Sequence, residues 1–276
     1  MDKVSKHFKI IAGIGLTLVS IFWIFPLLFI LMNSFKNEAG INTSPFSLPN
    51  ADTFKGIQNY STSIQGAGFF QAIGLSFFIT IVSVVVIVLF CSMCAWYIVR
   101  VKTWYTSVLY YMFIFSMIVP FQMVQKTMPA TATWAGIANS VGIILLYLGF
   151  GAGLSVFMFT GFIRAIPIEL EEAAMIDGAS AWRVFFQVIF PVLKPTAITI
   201  AVLNAMWVWN DFLLPYIINV KTIPVVIQGA MVGAYGQVNR GGFMAMLVLA
   251  IIPIIAFYLW GQKHIIKGVT AGAVKG

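Results

Sequence analysis

Acidic side chains are scarce in this chain: eight Asp and Glu stand against sixteen Lys and Arg in 276 residues. Histidine and cysteine number two each. No G-x-x-x-x-G-K-[ST] occurs, nor any Gly-Lys pair, so a phosphate-cradling loop of the P-loop kind is excluded. His7 and His264 sit in tails flanking apolar runs and cannot supply a metal cluster or a Ser-His-Asp triad. The chain therefore reads as a non-enzyme that binds no cofactor or metal. Cys91 and Cys94 form a C-x-x-C, but inside an apolar run and with no second pair, so they read as small packing residues. Charged residues are only 9% of the chain, hydrophobic residues 61%, and the mean hydropathy is +0.97. A water-soluble domain of that composition would expose one continuous apolar surface.

What is present instead is a set of six apolar runs, each to be measured against the ~20 helical residues that cross a bilayer. They cover roughly Ile10 to Met32, Phe69 to Val99, Trp104 to Val124, Ile137 to Ile163, Thr196 to Ile218 and Phe243 to Trp260. Backbone groups facing lipid find no water, so each run is predicted to be a helix. Pro120, Pro215 and Pro253 fall inside such runs, where a kink is expected. The fold class is thus an all-α integral membrane protein with six transmembrane helices. A short tail, residues 1–9, precedes a single transmembrane domain over residues 10–276, with a polar loop at about 164–195. The first run follows Lys3, Lys6 and Lys9, yet it is longer than a signal-peptide core and lacks a small-x-small cleavage site, so it is expected to stay as an anchor.

Basic residues set the orientation. With the amino terminus in the cytoplasm, one side carries Lys3, Lys6, Lys9, Arg100, Lys102, Arg164, Arg183, Lys194, Lys263, Lys267 and Lys275. The other side keeps Lys36, Lys55, Lys126, Lys221 and Arg240. The positive-inside rule then makes both termini cytoplasmic in a multi-pass protein of the prokaryotic cell membrane. The net charge of +8 is accounted for by this topology, because the basic residues never gather into a face with interleaved aromatics. Nucleic acid is not an expected partner; the lipid membrane is.

Four of the eight acids crowd into "ELEEAAMIDGAS", Glu169 to Ser180, on the cytoplasmic side. Pro167 suits the first position of a new helix, Glu169, Glu171 and Glu172 complement the positive end of its dipole, and Gly178 suits a left-handed cap. Ser180 can cap a second helix, expected to end at Pro191. Ile166, Leu170, Ala173, Ala174 and Asp177 are predicted to share one shallow face, a fit for a groove in another protein. From the pattern alone, an ordinary solvated loop is the alternative.

Asp211, in "WVWNDFLLPY", is the one acid inside an apolar run. Two readings stand. A carboxylate at that depth marks a polar pathway, and Trp207, Trp209, Asn210 and Tyr216 around it suit a sugar. The same residues also suit an interfacial aromatic belt near the outer headgroups.

Glu172-Ala173-Ala174, three residues, Gly178, nine residues, then Val188-Ile189-Phe190-Pro191 resembles the E-A-A-x3-G-x9-I-x-L-P loop of ABC importer permeases, with Val188 for Ile and Phe190 for Leu. "VPFQ" at Val119 to Gln122, "WNDFLLP" at Trp209 to Pro215 and "GAVKG" at Gly272 to Gly276 are similar to the second, shorter permease subunit of maltose-type carbohydrate importers. The resemblance implies the type I importer permease fold, with a cytoplasmic helix-turn-helix coupling loop. It also implies a second homologous permease subunit, two ATPase subunits that use ATP and Mg, and an extracytoplasmic solute-binding protein. The cargo would be a sugar, moved by alternating access along a pathway of which this chain forms half.

Carried over residue by residue, the coupling loop comprises Glu172, Ala173, Ala174 and Gly178, with Glu169, Leu170, Asp177 and Arg183 as nearby contacts. Lys275 and Gly276 would approach the ATPase, and Trp207, Asn210 and Asp211 the solute pathway. A permease for a peptide, amino acid or anion remains the alternative cargo reading, and an ion-driven secondary transporter the alternative class. The outer segments, Ser34 to Gly68 and Asn219 to Gly242, are expected to receive the binding protein.

Overall fold

The computed structural model describes residues 6–66, 68–232 and 239–273. They are helices and connecting turns, and the strand-like pairing among them is a bridge between Lys36 and Phe54. In chain order the helices are α1 (Lys6–Asn33), α2 (Glu38–Thr43), α3 (Gly56–Gly66), α4 (Phe69–Arg100), α5 (Trp104–Ile118), α6 (Phe121–Val124) and α7 (Met128–Trp134). There follow α8 (Ile143–Ile163), α9 (Glu169–Ile176), α10 (Ala181–Val184), α11 (Phe190–Asn210), α12 (Leu213–Ile217), α13 (Ile223–Met231) and α14 (Arg240–Ala273). Among the described residues, five segments are long and apolar enough to cross a membrane: Phe8–Asn33, Phe69–Arg100, Ile143–Ile163, Ala181–Asn210 and Arg240–Gln262. This is the all-α, multi-pass architecture that hydropathy predicts.

The prolines divide into two kinds. Pro26, Pro195 and Pro253 lie inside α1, α11 and α14. Pro120 and Pro215 do not behave as the expected kinks. The third apolar run is broken, because Val119 adopts an extended conformation and Pro120 becomes the N-cap of α6. A proline pushes the residue before it out of the α region. The 15 residues of α5 span about 22 Å, short of a ~30 Å hydrocarbon core. The fifth run likewise stops at Asn210, and Pro215 belongs to the separate α12.

The chain forms two compact units, Met1–Gln71 with Val226–Ile252 and Ala72–Val225 with Pro253–Gly276. In the first unit, α1 exposes apolar side chains along its length, as a helix surrounded by lipid should. Residues 34–66 fold back upon themselves around two buried polar side chains. The Lys36 ammonium is fully buried and donates to the Ser44 carbonyl at 2.8 Å. The buried Asn59 amide donates to the Ser34 and Lys36 carbonyls at 2.9 and 2.8 Å. Asn37 caps α2 by accepting from the Gly40 N–H at 2.8 Å and donates to the Asp52 carbonyl at 2.9 Å. The start of α14 joins this unit: Glu38 accepts from the Arg240 backbone N–H and lies 3.3 Å from its guanidinium. Both side chains of that pair are about half exposed, so it contributes little stability.

The second unit is built around α8, whose Ile143, Ile144, Tyr147, Ala152, Val156, Phe159 and Ile163 are buried. Helices α5 and α11 pack against it. Two glycines set those distances. A Cβ on Gly153 would lie 2.7 Å from Ser116 and Met117 of α5, and one on Gly151 would lie 2.8 Å from Asn204 Oδ1 of α11. Small residues allow this close approach between membrane helices, where van der Waals packing replaces the hydrophobic effect. Cys91 is buried in the same core and Cys94 packs against it, in keeping with their reading as small hydrophobes. Far along the chain, the Ser76 hydroxyl of α4 accepts from the Ile223 N–H at 2.9 Å.

The Asn59 amide yields a direct test. Asn59→Ala leaves two buried carbonyls unpaired, at a cost of about 1–3 kcal/mol each. Limited proteolysis should cut within residues 34–66 faster than in the wild type, while cleavage elsewhere is unchanged.

Candidate functional site: the α9 loop and its anchor

The loop between α8 and α11 has the shape its residues dictate, with two differences. Helix α9 ends in a full Schellman turn: the Gly178 N–H reaches the Met175 carbonyl at 3.0 Å and the Ala179 N–H reaches the Ala174 carbonyl at 2.9 Å. Gly178 takes φ +81°, and a Cβ there would meet nothing within 4 Å. The backbone angle alone therefore demands glycine. Ser180 occupies the N-cap position of α10 through its backbone, with no side-chain cap.

The first difference is at Pro191, which does not end the second helix. A π-helical turn, Phe185–Ile189, carries α10 into α11, so that residues 181–210 form one continuous rod. Within it the Phe190 N–H bonds to the Phe185 carbonyl, five residues back. Widening the register just before a proline absorbs the ring that would clash with an α-helical carbonyl. Helical hydrogen bonding thus runs on from α10 into a membrane span.

The second difference concerns the predicted face. Ile166 is buried and Ala174 half-buried, whereas Leu170, Ala173 and Asp177 are exposed. Helical periodicity does not extend back through Pro167, because α9 begins at Glu169. Outward-facing residues are Glu169, Leu170, Glu172, Ala173, Asp177 and Gly178, with Arg183 on α10. Around them stand exposed apolar side chains, among them Met175, Ile176 and Trp182, which stacks on Phe186 at 6.2 Å.

Glu171 behaves unlike its neighbours. It is 4% exposed and accepts from Arg100 Nε at 2.7 Å and from Trp96 Nε1 at 3.0 Å, both on α4. The Arg100 guanidinium also donates to the Ile166 carbonyl at 3.1 Å, just ahead of α9. One carboxylate thus bolts the displayed helix to the end of a membrane span. Sequence reasoning passed over Glu171 because charge does not separate it from Glu169 and Glu172. The usable signal was spacing: Glu171 and Ala174 are three apart on the inward side.

A second polar constellation lies near the other end of α11. Asp211 follows the last helical residue, and its carboxylate accepts from Tyr147 Oη at 3.0 Å and from the Leu213 N–H at 3.1 Å. Tyr147 is fully buried and meets Trp207 edge-on, with centroids 5.3 Å apart. Asn204 donates to Ser155 Oγ at 3.1 Å, a further polar tie between α11 and α8. Asp211 is therefore partnered and fixes the corner between α8, α11 and α12. Trp207 and Asn210 beside it are exposed, the Asn210 amide donating to the Met206 carbonyl at 2.7 Å. Lys275 and Gly276 lie outside the described residues. Among those described, no group of three His, Cys, Asp or Glu side chains could hold a metal ion.

Removing the Glu171 charge leaves the partly buried Arg100 guanidinium without its charged partner, a loss of about 1–3 kcal/mol. Glu171→Gln should accelerate hydrogen exchange in residues 166–179 and leave α8 protected. Glu172→Gln, at an exposed position, should change neither.

Residues 87–271 match the family described as "Binding-protein-dependent transport system inner membrane component". The chain is 36% identical, over 100% of both sequences, to the "Probable starch degradation products transport system permease protein AmyC" of Thermoanaerobacterium thermosulfurigenes. It is 33% identical, over 99% of each, to the "Multiple sugar-binding transport system permease protein MsmG" of Streptococcus mutans. Among solved structures it superposes on a bacterial ABC transporter involved in the import of the acidic polysaccharide alginate, with TM-score 0.74, 21% identity and coverage of 95% of this chain and 99% of that one. The all-helical architecture, the E-A-A loop and these matches agree: the chain belongs to the inner membrane components of binding-protein-dependent transport systems, with the type I ABC importer permease fold.

Proposed function

We propose that this chain is one of two permease subunits of an ATP-driven importer for a sugar or oligosaccharide, and that α9 is the handle through which an ATPase subunit moves it. The observation that carries this reading is the division of labour within α9. Its Glu172, Ala173, Ala174 and Gly178 reproduce the coupling pattern and its outer face is displayed, while Glu171 ties its inner face to Arg100. A displayed helix can dock, and an anchored helix can pull.

Both termini and α9 then lie in the cytoplasm, with residues 34–66 on the outer side facing a solute-binding protein. MgATP is bound and hydrolysed by the partner ATPase pair. Closure of that pair would displace α9, and the continuous helix 181–210 together with α4 would carry the displacement into the membrane. The pathway alternates between two access states whose populations nucleotide shifts by differential affinity. The names of relatives, which cite starch degradation products, multiple sugars and, at 30% identity, diacetylchitobiose, support a carbohydrate cargo. Trp207 and Asn210 offer a flat apolar face and hydrogen-bonding groups to such a solute, and Asp211 with Tyr147 holds them in place.

Two experiments test the reading. Gly178→Val forces a β-branched residue into a left-handed conformation, at about 1–2 kcal/mol, and should release the ATPase subunits on copurification or abolish solute-stimulated ATP hydrolysis. Gly178→Asn, which tolerates that conformation, should retain most of both. Full assembly and coupling in Gly178→Val would refute the docking role. At the other site, Tyr147→Phe and Asp211→Asn should each lower uptake without loss of ATPase association. Their double variant should be no worse than the poorer single one, since both break the same contact.

A further inference from the structure

Beside the anchor of α9 lies an open pocket of about 690 Å³ that the coupling role does not use. It is bounded by the end of α4, the connection to α5, the first turns of α5 and the end of α8. Three cations line it: Arg100, Lys102 and Arg164. Arg100 is engaged by Glu171, but Lys102 and Arg164 are exposed, the latter stacked over the Tyr110 ring at 5.3 Å. No acidic side chain lines the pocket. Trp104 is 79% exposed and Tyr111 66%, so its rim presents aromatic edges.

Its position in the fold narrows the ligand. Two membrane-spanning segments end at Arg100 and Ile163, and a third apolar helix begins at Trp104, so the pocket lies at the boundary between hydrocarbon and water. Exposed tryptophan and tyrosine belong at that depth. Basic pockets between membrane helices there receive the phosphate groups of acidic lipids. The apolar sides of α5, with Val108 and Met112 exposed, continue away from the pocket toward the membrane interior, along the course an acyl chain would follow.

We infer that this pocket is a binding site for the headgroup of an anionic phospholipid, with Lys102 and Arg164 pairing with its phosphate and Trp104 and Tyr111 flanking its glycerol region. Arg100 contributes to the same field while it holds Glu171. A lipid seated there would offset the positive charge of Lys102 and Arg164 beside the clamp and steady the foot of α4, so that membrane composition bears on how firmly α9 is held. Assignment to the cytoplasmic leaflet rests on the coupling role of α9; the lipid site itself rests on the pocket.

The test uses the full chain, purified with its co-expressed partner subunits and placed in nanodiscs of phosphatidylcholine with graded phosphatidylglycerol. Retained lipid is read by native mass spectrometry. The wild type should retain phosphatidylglycerol over phosphatidylcholine, and Lys102→Gln/Arg164→Gln should weaken that retention about thirtyfold, equivalent to about 2 kcal/mol for two basic side chains. Equal retention of the two lipids by the wild type, or unchanged retention by the double variant, would overturn the proposal. So would displacement of the lipid by inorganic phosphate at millimolar concentration, since that would identify a site for free anions. Because both substituted residues lie apart from the displayed face of α9, ATPase copurification should persist in the double variant. A failure of the lipid site is thereby separable from a failure of the docking role.

Discussion

A single buried carboxylate fixes the loop between α8 and α11 to the end of α4. Glu171 gives up nearly all contact with water and receives hydrogen bonds from Arg100 and Trp96, both on α4. A buried ion pair of this kind adds little net stability over an apolar contact, because desolvating both charges offsets their attraction. Its value lies in geometry. The bidirectional hold of Arg100, on the Glu171 side chain and on the Ile166 carbonyl, fixes both the helix and the turn that leads into it. A short helix such as α9 has little intrinsic stability in water. Attached in this way, it is held in a fixed position against α4.

The rest of the second unit supports that attachment. Helix α8 forms the central post, and Gly151 and Gly153 let α11 and α5 approach it closely. The π turn at Phe185–Ile189 removes what would have been a break between the displayed loop and the span. At the far end of α11 the Tyr147–Asp211 contact secures the corner into α12. Polar ties occur where helices start, stop or cross, and apolar packing fills the lengths between. In hydrocarbon, helix ends and loops are the places where backbone groups need outside partners.

The first unit solves a different problem. The described side chains of residues 34–66 include few that are large, apolar and buried, and the segment is held by Lys36 and Asn59 bonding to backbone carbonyls. A loop of this length without such ties would be costly to order. Its exposed Phe46, Leu48 and Ile57 are thereby held on a defined surface.

The sequence alone determined the class: 61% hydrophobic residues and long apolar runs admit only membrane helices, and the pattern from Glu172 to Pro191 resembles an E-A-A loop. It also determined the turn at Gly178, since local backbone angles follow from local residues. Three matters were decided only by tertiary structure. Glu171 and Glu172 are chemically alike, and what separates anchor from displayed residue is that Arg100, 71 positions away in sequence, reaches one of them. Pro191 reads as a stop, and only the π register before it lets the helix run on. Asp211 reads as a lone acid in an apolar run, marking either a pathway or an interfacial belt, and only the folded chain brings Tyr147 to it from 64 residues away. For both carboxylates the deciding partner is distant along the chain, and pattern within a segment carries no information about which distant group will arrive; for Pro191 it is the helical register adopted just before it.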